Sequence, residues 1–191
     1  MSKIKPVWLI LGGIGLFILI FILWFVGTYN SLVRLDETAN AQWANVESSY
    51  QRRFDLIPNL VETVKGAANF EKETYLAVTE ARTKWLNAGS INEKTLAAGE
   101  VQSALARLLV SVENYPQLKA TENFQDLQAQ LEGTENRINV ERNRYNEAVK
   151  NYNAKIRFFP SNLIAGMFGF EKKELFESDE GAEAAVKVDF T

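Results

Sequence analysis

No histidine and no cysteine occurs anywhere in the 191 residues. Their absence removes Ser-His-Asp and Cys-His nucleophile systems, thiol redox chemistry and imidazole metal sites together. Di-iron sites in helical bundles need Glu-x-x-His pairs, so that chemistry goes as well. Ser2 and Lys5 form the only S-x-x-K match, and they lie in a tail ahead of an apolar run, with no pocket to work in. No G-x-x-x-x-G-K-[ST] or G-x-G-x-x-G stretch is present. Carboxylate pairs remain, Asp36 with Glu37 and Glu71 with Glu73, and they read better as solvated helix-face charges than as acid–base pairs. A metal-assisted hydrolase built from carboxylates alone would have to bind a divalent cation in its isolated domain. The composition predicts a protein that is not an enzyme, with no catalytic residues, no cofactor, no metal and no small-molecule substrate.

One segment has an obvious physical task. From Val7 to Val26 the chain reads V-W-L-I-L-G-G-I-G-L-F-I-L-I-F-I-L-W-F-V, without a charge. At helical rise these twenty residues cover about 30 Å, the hydrocarbon thickness of a bilayer. A cleaved signal peptide has a shorter apolar core and a small-x-small end, whereas this run ends in bulky Trp24-Phe25-Val26. Trp8 and Trp24 sit near its two ends, where indole rings prefer the interface. Lys3 and Lys5 precede the span, and after it Arg34 is the only basic residue before Arg52. That bias predicts a cytoplasmic N-terminus and a domain outside the cytoplasm, with the membrane crossed once.

The expected organisation is a basic tail over 1–6, an anchor over 7–27, a helical bundle over 28–160, an apolar segment over 161–176 and an acidic, disordered tail over 177–191. The last fifteen residues carry a net charge of −4, leaving the rest of the chain near +1. No basic run suggests nucleic acid. In the bundle, Leu32, Leu35, Ala39, Trp43, Val46, Tyr50, Phe54 and Ile57 recur at steps of three or four. Pro58 then interrupts, displacing Ile57 from helical geometry, and Asn59 with Glu62 resembles a capping box for a restart. A single kinked helix is the alternative. The second helix is expected to bury Val61, Val64, Ala68, Tyr75, Val78 and Leu86 and to stop near Ala88-Gly89-Ser90. A third, from about Asn92 to Tyr115, turns Leu96, Val101, Leu105, Leu108, Leu109 and Val112 inward. The fourth carries a 3.5-residue seam: Phe124, Leu127, Leu131, Thr134, Ile138, Glu141, Tyr145, Ala148, Tyr152 and Lys155. The fold class is therefore all-α, one transmembrane helix followed by an antiparallel four-helix bundle. After Pro160 the helical pattern fails. Leu163, Ile164, Met167, Phe168 and Phe170 either pack back along the bundle or touch the membrane surface.

Several stretches exceed what a plain bundle needs. They are Arg52-Arg53-Phe54-Asp55-Leu56-Ile57-Pro58-Asn59-Leu60-Val61-Glu62-Thr63-Val64-Lys65-Gly66, then Glu113-Asn114-Tyr115-Pro116-Gln117-Leu118-Lys119-Ala120, then Thr134-Glu135-Asn136-Arg137-Ile138 continuing to Arg144-Tyr145-Asn146-Glu147-Ala148-Val149 and Tyr152-Asn153. With Tyr29-Asn30-Ser31-Leu32-Val33 and Phe159-Pro160-Ser161-Asn162-Leu163-Ile164-Ala165, they closely resemble the bacterial LemA family over almost the whole chain. The resemblance implies a membrane anchor followed by an antiparallel helical bundle, and no established enzymatic activity. Phe70 departs from the family pattern, which often has histidine before the position of Glu71.

Two readings of these stretches carry function. Arg52 and Arg53 at a helix C-terminus complement its partial negative charge, and Asp55 and Asn59 could cap the restart. The sharper reading makes Arg52, Arg53, Asp55 and Asn59 a partner-binding corner. The asparagines of the fourth helix (Asn136, Asn139, Asn143, Asn146, Asn151, Asn153) are mediocre helix formers. Amides bonding across to neighbouring helices are favoured over an exposed recognition face, because Tyr145 and Tyr152 nearby also need polar partners when buried. The expected role is a non-enzymatic membrane-anchored scaffold or adaptor binding unidentified membrane or envelope proteins. The alternative is an accessory or regulatory subunit of a membrane-associated enzyme such as a protease.

Overall fold

A computed structural model describes residues 6–66 and 71–176. Phe70, Ala68 and the acidic segment from 177 onward, expected to be disordered, lie outside the described residues. The chain is all-α, and the described residues contain no strand. Its helices are α1 (Pro6–Phe54), α2 (Ile57–Lys65), α3 (Lys72–Asn87), α4 (Ile91–Val112), α5 (Pro116–Lys119), α6 (Glu122–Arg157) and α7 (Ser161–Phe168). The chain divides into two compact units, one of residues up to Gln42 together with those from Arg144 onward, the other Trp43–Asn143.

The expected anchor and first bundle helix are one element. α1 runs 49 residues, about 73 Å, and Gly27 does not interrupt it. Every residue from Trp8 to Trp24 is exposed, and the segment is long and apolar enough to cross a membrane. Beyond it the predicted stripe turns inward, with Leu32, Ala39, Val46, Tyr50, Phe54 and Ile57 all buried.

Pro58 breaks the helix, two residues earlier than expected. α1 stops at Phe54, and Ile57 is already helical, so the proline occupies the first turn of α2, where its missing N–H costs nothing. An unbroken helix would pair the N–H of residue 58 with the carbonyl of Phe54. That carbonyl instead accepts Nε–H of Arg82 on α3 at 3.0 Å. Neither Asp55 nor Asn59 caps the restart, since α2 has no side-chain cap. Asp55 accepts a bond from Gln51 Nε2 at 2.8 Å, and the Asn59 carbonyl accepts the Thr63 hydroxyl at 2.8 Å. The capping-box chemistry lies at α4: Ser90 Oγ accepts the Glu93 N–H, and the Glu93 carboxylate accepts the Gly89 N–H at 2.8 Å.

In the unit Trp43–Asn143, α3 and α4 form an antiparallel hairpin joined at Ala88-Gly89-Ser90, with Lys84 on α3 bonding Glu100 on α4 at 2.7 Å. The expected second helix is two, since α2 ends at Lys65 and α3 starts at Lys72. Leu86 and Leu96 are exposed rather than inward, at 44% and 73%. Ala81, Trp85, Ala97 and Ala98 hold the buried face instead, because alanines allow the two helices to approach closely. Trp85 packs edge-on against Phe54 with centroids 4.7 Å apart, and Lys94, ion-paired with Glu47, lies 5.1 Å over the same indole.

On α6 the predicted seam is correct along its length. Phe124, Leu127, Leu131, Ile138, Glu141, Tyr145, Ala148 and Tyr152 are buried, and Thr134 and Lys155 half-buried. Thr134 satisfies its hydroxyl on the Leu131 carbonyl at 2.8 Å. In the other unit, α6 lies antiparallel to α1, with Ile156 packing near Leu32.

Candidate functional site

The corner residues separate rather than converge. Arg52, Asp55 and Asn59 are exposed, whereas Arg53 is buried at 9% exposure and ion-paired with Glu135 on α6. Burial pushes the Arg53 guanidinium below its ordinary pKa, while Tyr50 nearby acts in the opposite direction. Its Nε finds no hydrogen-bond partner among the described residues. Arg53 thus belongs to the interior, and only Arg52, Asp55 and Asn59 face solvent. Among the described residues no group of three or more acidic side chains is placed to hold a metal ion.

The polar groups that the structure does assemble lie elsewhere, in the unit containing both termini. After Gly169, in the left-handed conformation with φ 73°, the chain leaves α7 and turns back along α6 as an extended strap, residues 170–176. The φ > 0 C-cap is where glycine is needed. Two Tyr-Asn dipeptides hold the strap. Tyr152 donates its hydroxyl to the Glu171 carbonyl at 2.9 Å, and Asn153 both accepts the Lys173 N–H (2.9 Å) and donates to the Lys173 carbonyl (2.8 Å). Seven residues earlier the pattern repeats. Tyr145 donates to the Glu174 carbonyl at 3.0 Å, and Asn146 takes the Phe176 N–H at 2.7 Å and donates to its carbonyl at 2.9 Å.

The repeat has a geometric cause. Seven helical residues rise about 10.5 Å, and three extended residues span about 10 Å. A heptad on α6 therefore stays in register with a tripeptide on the strap, and the same side-chain pair meets the same backbone groups twice. Each asparagine contributes a donor and an acceptor, matching one extended residue on both main-chain groups. The strap is also tied to α1, since Lys173 bonds Asn40 Oδ1 at 2.8 Å, lies 3.0 Å from Asp36 Oδ1 and covers the Tyr152 ring at 5.5 Å. Phe176 is buried, as are Ile164 and Ala165 of α7, which pack on Leu32 with Phe25, Tyr29 and Phe170 around them. Asn136, Asn139, Asn143 and Asn151 lie exposed on α6, whereas Asn146 and Asn153 make bonds across the fold as expected. The partner, however, is an extended segment rather than a helix. The available signal was the Tyr-Asn pair recurring at a spacing of seven, within the stretch already singled out.

The two phenols give this clamp a pH dependence. Burial raises both above the ordinary phenol value, Tyr145 with help from Glu174 and Tyr152 with help from Asp36 and Glu171. A raised folded-state pKa favours the neutral, donating form, so its stabilisation is complete below about pH 10 and is lost as pH climbs through the raised values. Thermal unfolding followed from pH 8 to 11 is expected to show a fall in stability above about pH 10 that flattens in Tyr145→Phe with Tyr152→Phe. An identical fall in the double variant would assign the alkaline loss to other groups.

The sequence profile of the LemA family matches residues 42–190. The chain is 27% identical to Magnetosome protein MamQ 2 of Paramagnetospirillum magneticum over 184 residues, covering 83% of this chain and 68% of that protein. It is 26% identical to Magnetosome protein MamQ of Magnetospirillum gryphiswaldense over 207 residues, with 95% and 76% covered. It is 27% identical to Protein LemA of Metamycoplasma hominis over 163 residues, with 84% and 74% covered. None of these names states a reaction, and the apolar N-terminal helix supports membrane anchoring. A profile match over most of its length, on an all-α chain with one apolar N-terminal helix, places this protein in the LemA family.

Proposed function

We propose that the protein is a non-enzymatic, membrane-anchored helical scaffold or adaptor that binds other proteins of the cell envelope. The observation that carries this reading is the continuity of α1, which passes from exposed apolar rings to buried core positions without a linker. A helix that enters the bilayer and the folded domain as one rod holds the domain's near end at a fixed height. This suits a platform better than a tethered catalyst. The exposed residues Arg52, Asp55 and Asn59 are the part of the proposed docking corner that a partner can reach.

The full chain should be recovered from solubilised membranes as wild type and as Arg52→Ala with Asp55→Ala and Asn59→Ala. Loss of the co-recovered proteins, with thermal stability within about 1 kcal/mol as for surface sites, supports the docking corner. Retention of every partner removes it. Stoichiometric recovery with one enzyme whose turnover changes would favour the accessory-subunit reading instead. We further place the N-terminus in the cytoplasm and the helical domain outside it. In the cysteine-free chain, Asn114→Cys at an exposed turn should react with a membrane-impermeant maleimide in cells whose inner membrane is intact. Labelling only after that membrane is opened reverses the topology.

A further inference from the structure

From Phe158 to Phe170 thirteen residues pass without a charge, bracketed by Arg157 and Glu171. α7 buries Ser161, Ile164 and Ala165, and its exposed side carries Leu163 and Met167 beside Gly166 and one polar residue, Asn162. Phe159 is 81% exposed, Met167 72% and Leu163 58%, with Phe158 also open. A surface helix in water normally turns polar residues outward. Here the outward face is mostly apolar, and the described part of the chain does not cover it.

The position of α7 says what does. Phe168 stacks against Phe25 at 6.1 Å and Tyr29 at 4.7 Å, and the uncharged run of α1 ends at Val26. The helix therefore abuts the last turn of the spanning segment, over a stretch of α1 from Phe25 to Leu32 about 10 Å long. The zone between hydrocarbon and water in one leaflet is about 5–8 Å deep. We propose that α7 is an interfacial helix whose Leu163 and Met167, with Phe159 in the turn just ahead of it, lie in the lipid of the leaflet from which α1 emerges. Phe168 ties α7 to the end of the apolar run of α1 through Phe25 and Tyr29, which favours the bilayer over a second protein as its cover. Arg157 and Lys172 flank the helix, where basic side chains reach headgroups.

The proposal rests on α1 spanning the bilayer, and the test reads the two separately. Single cysteines are introduced into the cysteine-free full chain at Leu16, Phe159, Met167 and Asn114, spin-labelled and reconstituted in phosphatidylcholine vesicles. Leu16→Cys reports the span, and Asn114→Cys an exposed turn of the other unit. Labels at Phe159→Cys and Met167→Cys are expected to collide with oxygen more than with a water-soluble nickel chelate, reversing the order seen at Asn114→Cys. A lipid signature at Leu16→Cys with water signatures at both Phe159→Cys and Met167→Cys overturns the proposal while leaving the anchor intact. Protection of these two labels from oxygen and nickel alike also overturns it, because protein then covers the face.

Discussion

Glu135→Leu is expected to lower the thermal midpoint of the full chain by roughly 6–12 °C, from a loss of about 3 kcal/mol. The cause is what remains behind. Arg53 is buried and ion-paired with Glu135, and its Nε already finds no acceptor among the described residues. Removing the carboxylate strands a guanidinium in a setting whose desolvation already disfavours its charge. A buried ion pair is itself a poor source of net stability, since desolvating both partners offsets much of their attraction. The double variant Arg53→Met with Glu135→Leu should therefore recover most of the lost midpoint. Thermal melts of the two variants decide the matter. If the single variant melts like wild type, Arg53 has another partner or reaches water. The result also bears on binding experiments: Arg53→Ala would weaken recovery of a partner through the interior, so it is no probe of the surface.

Asn146→Ala with Asn153→Ala is expected to free the strap while leaving the helices intact. Each substitution strips an N–H and a carbonyl of the strap of their partner. Unsatisfied main-chain groups cost about 1–3 kcal/mol each when buried, and these bonds are only partly buried, so about 2 kcal/mol for the pair is the expected loss. Because the bonds are local, the loss falls on strap opening rather than on global unfolding. Tryptic cleavage after Lys172 and Lys173 then tracks the open population and should rise about 30-fold, as every 1.4 kcal/mol is a factor of ten. Helical circular dichroism should change little. Unchanged cleavage would mean that Phe176, Lys173 and the two tyrosines hold the segment without the amides.

Much of this architecture is legible in the residues. The α6 seam reads through because its buried positions are large and alternate at three and four, and even Thr134 and Glu141 keep phase. α3 and α4 read less well, since alanines at 81, 97 and 98 fill the contact and leave Leu86 and Leu96 outside. A search for large apolar residues cannot see a helix pair that packs through small ones. The strap is illegible for a different reason. Tyr145, Asn146, Tyr152 and Asn153 grip main-chain atoms, so the held residues show no period of their own. The corner at residues 52–59 was visible as a cluster. Which of its arginines turns inward depends on Glu135, more than seventy positions away in the chain.

The direction in which the strap runs has a mechanical consequence. It leaves α7 and returns beside α6, from the level of Tyr152 toward that of Asn146, with Lys173 tied to α1 midway. Tension on the chain beyond Phe176, pulling onward and away from α7, loads both Tyr-Asn pairs and the lysine tether in shear, all at once. Tension toward α7 peels the Asn146 pair first and reaches Asn153 only afterwards. The fastening therefore resists force in one direction far better than in the other, as a ratchet pawl does.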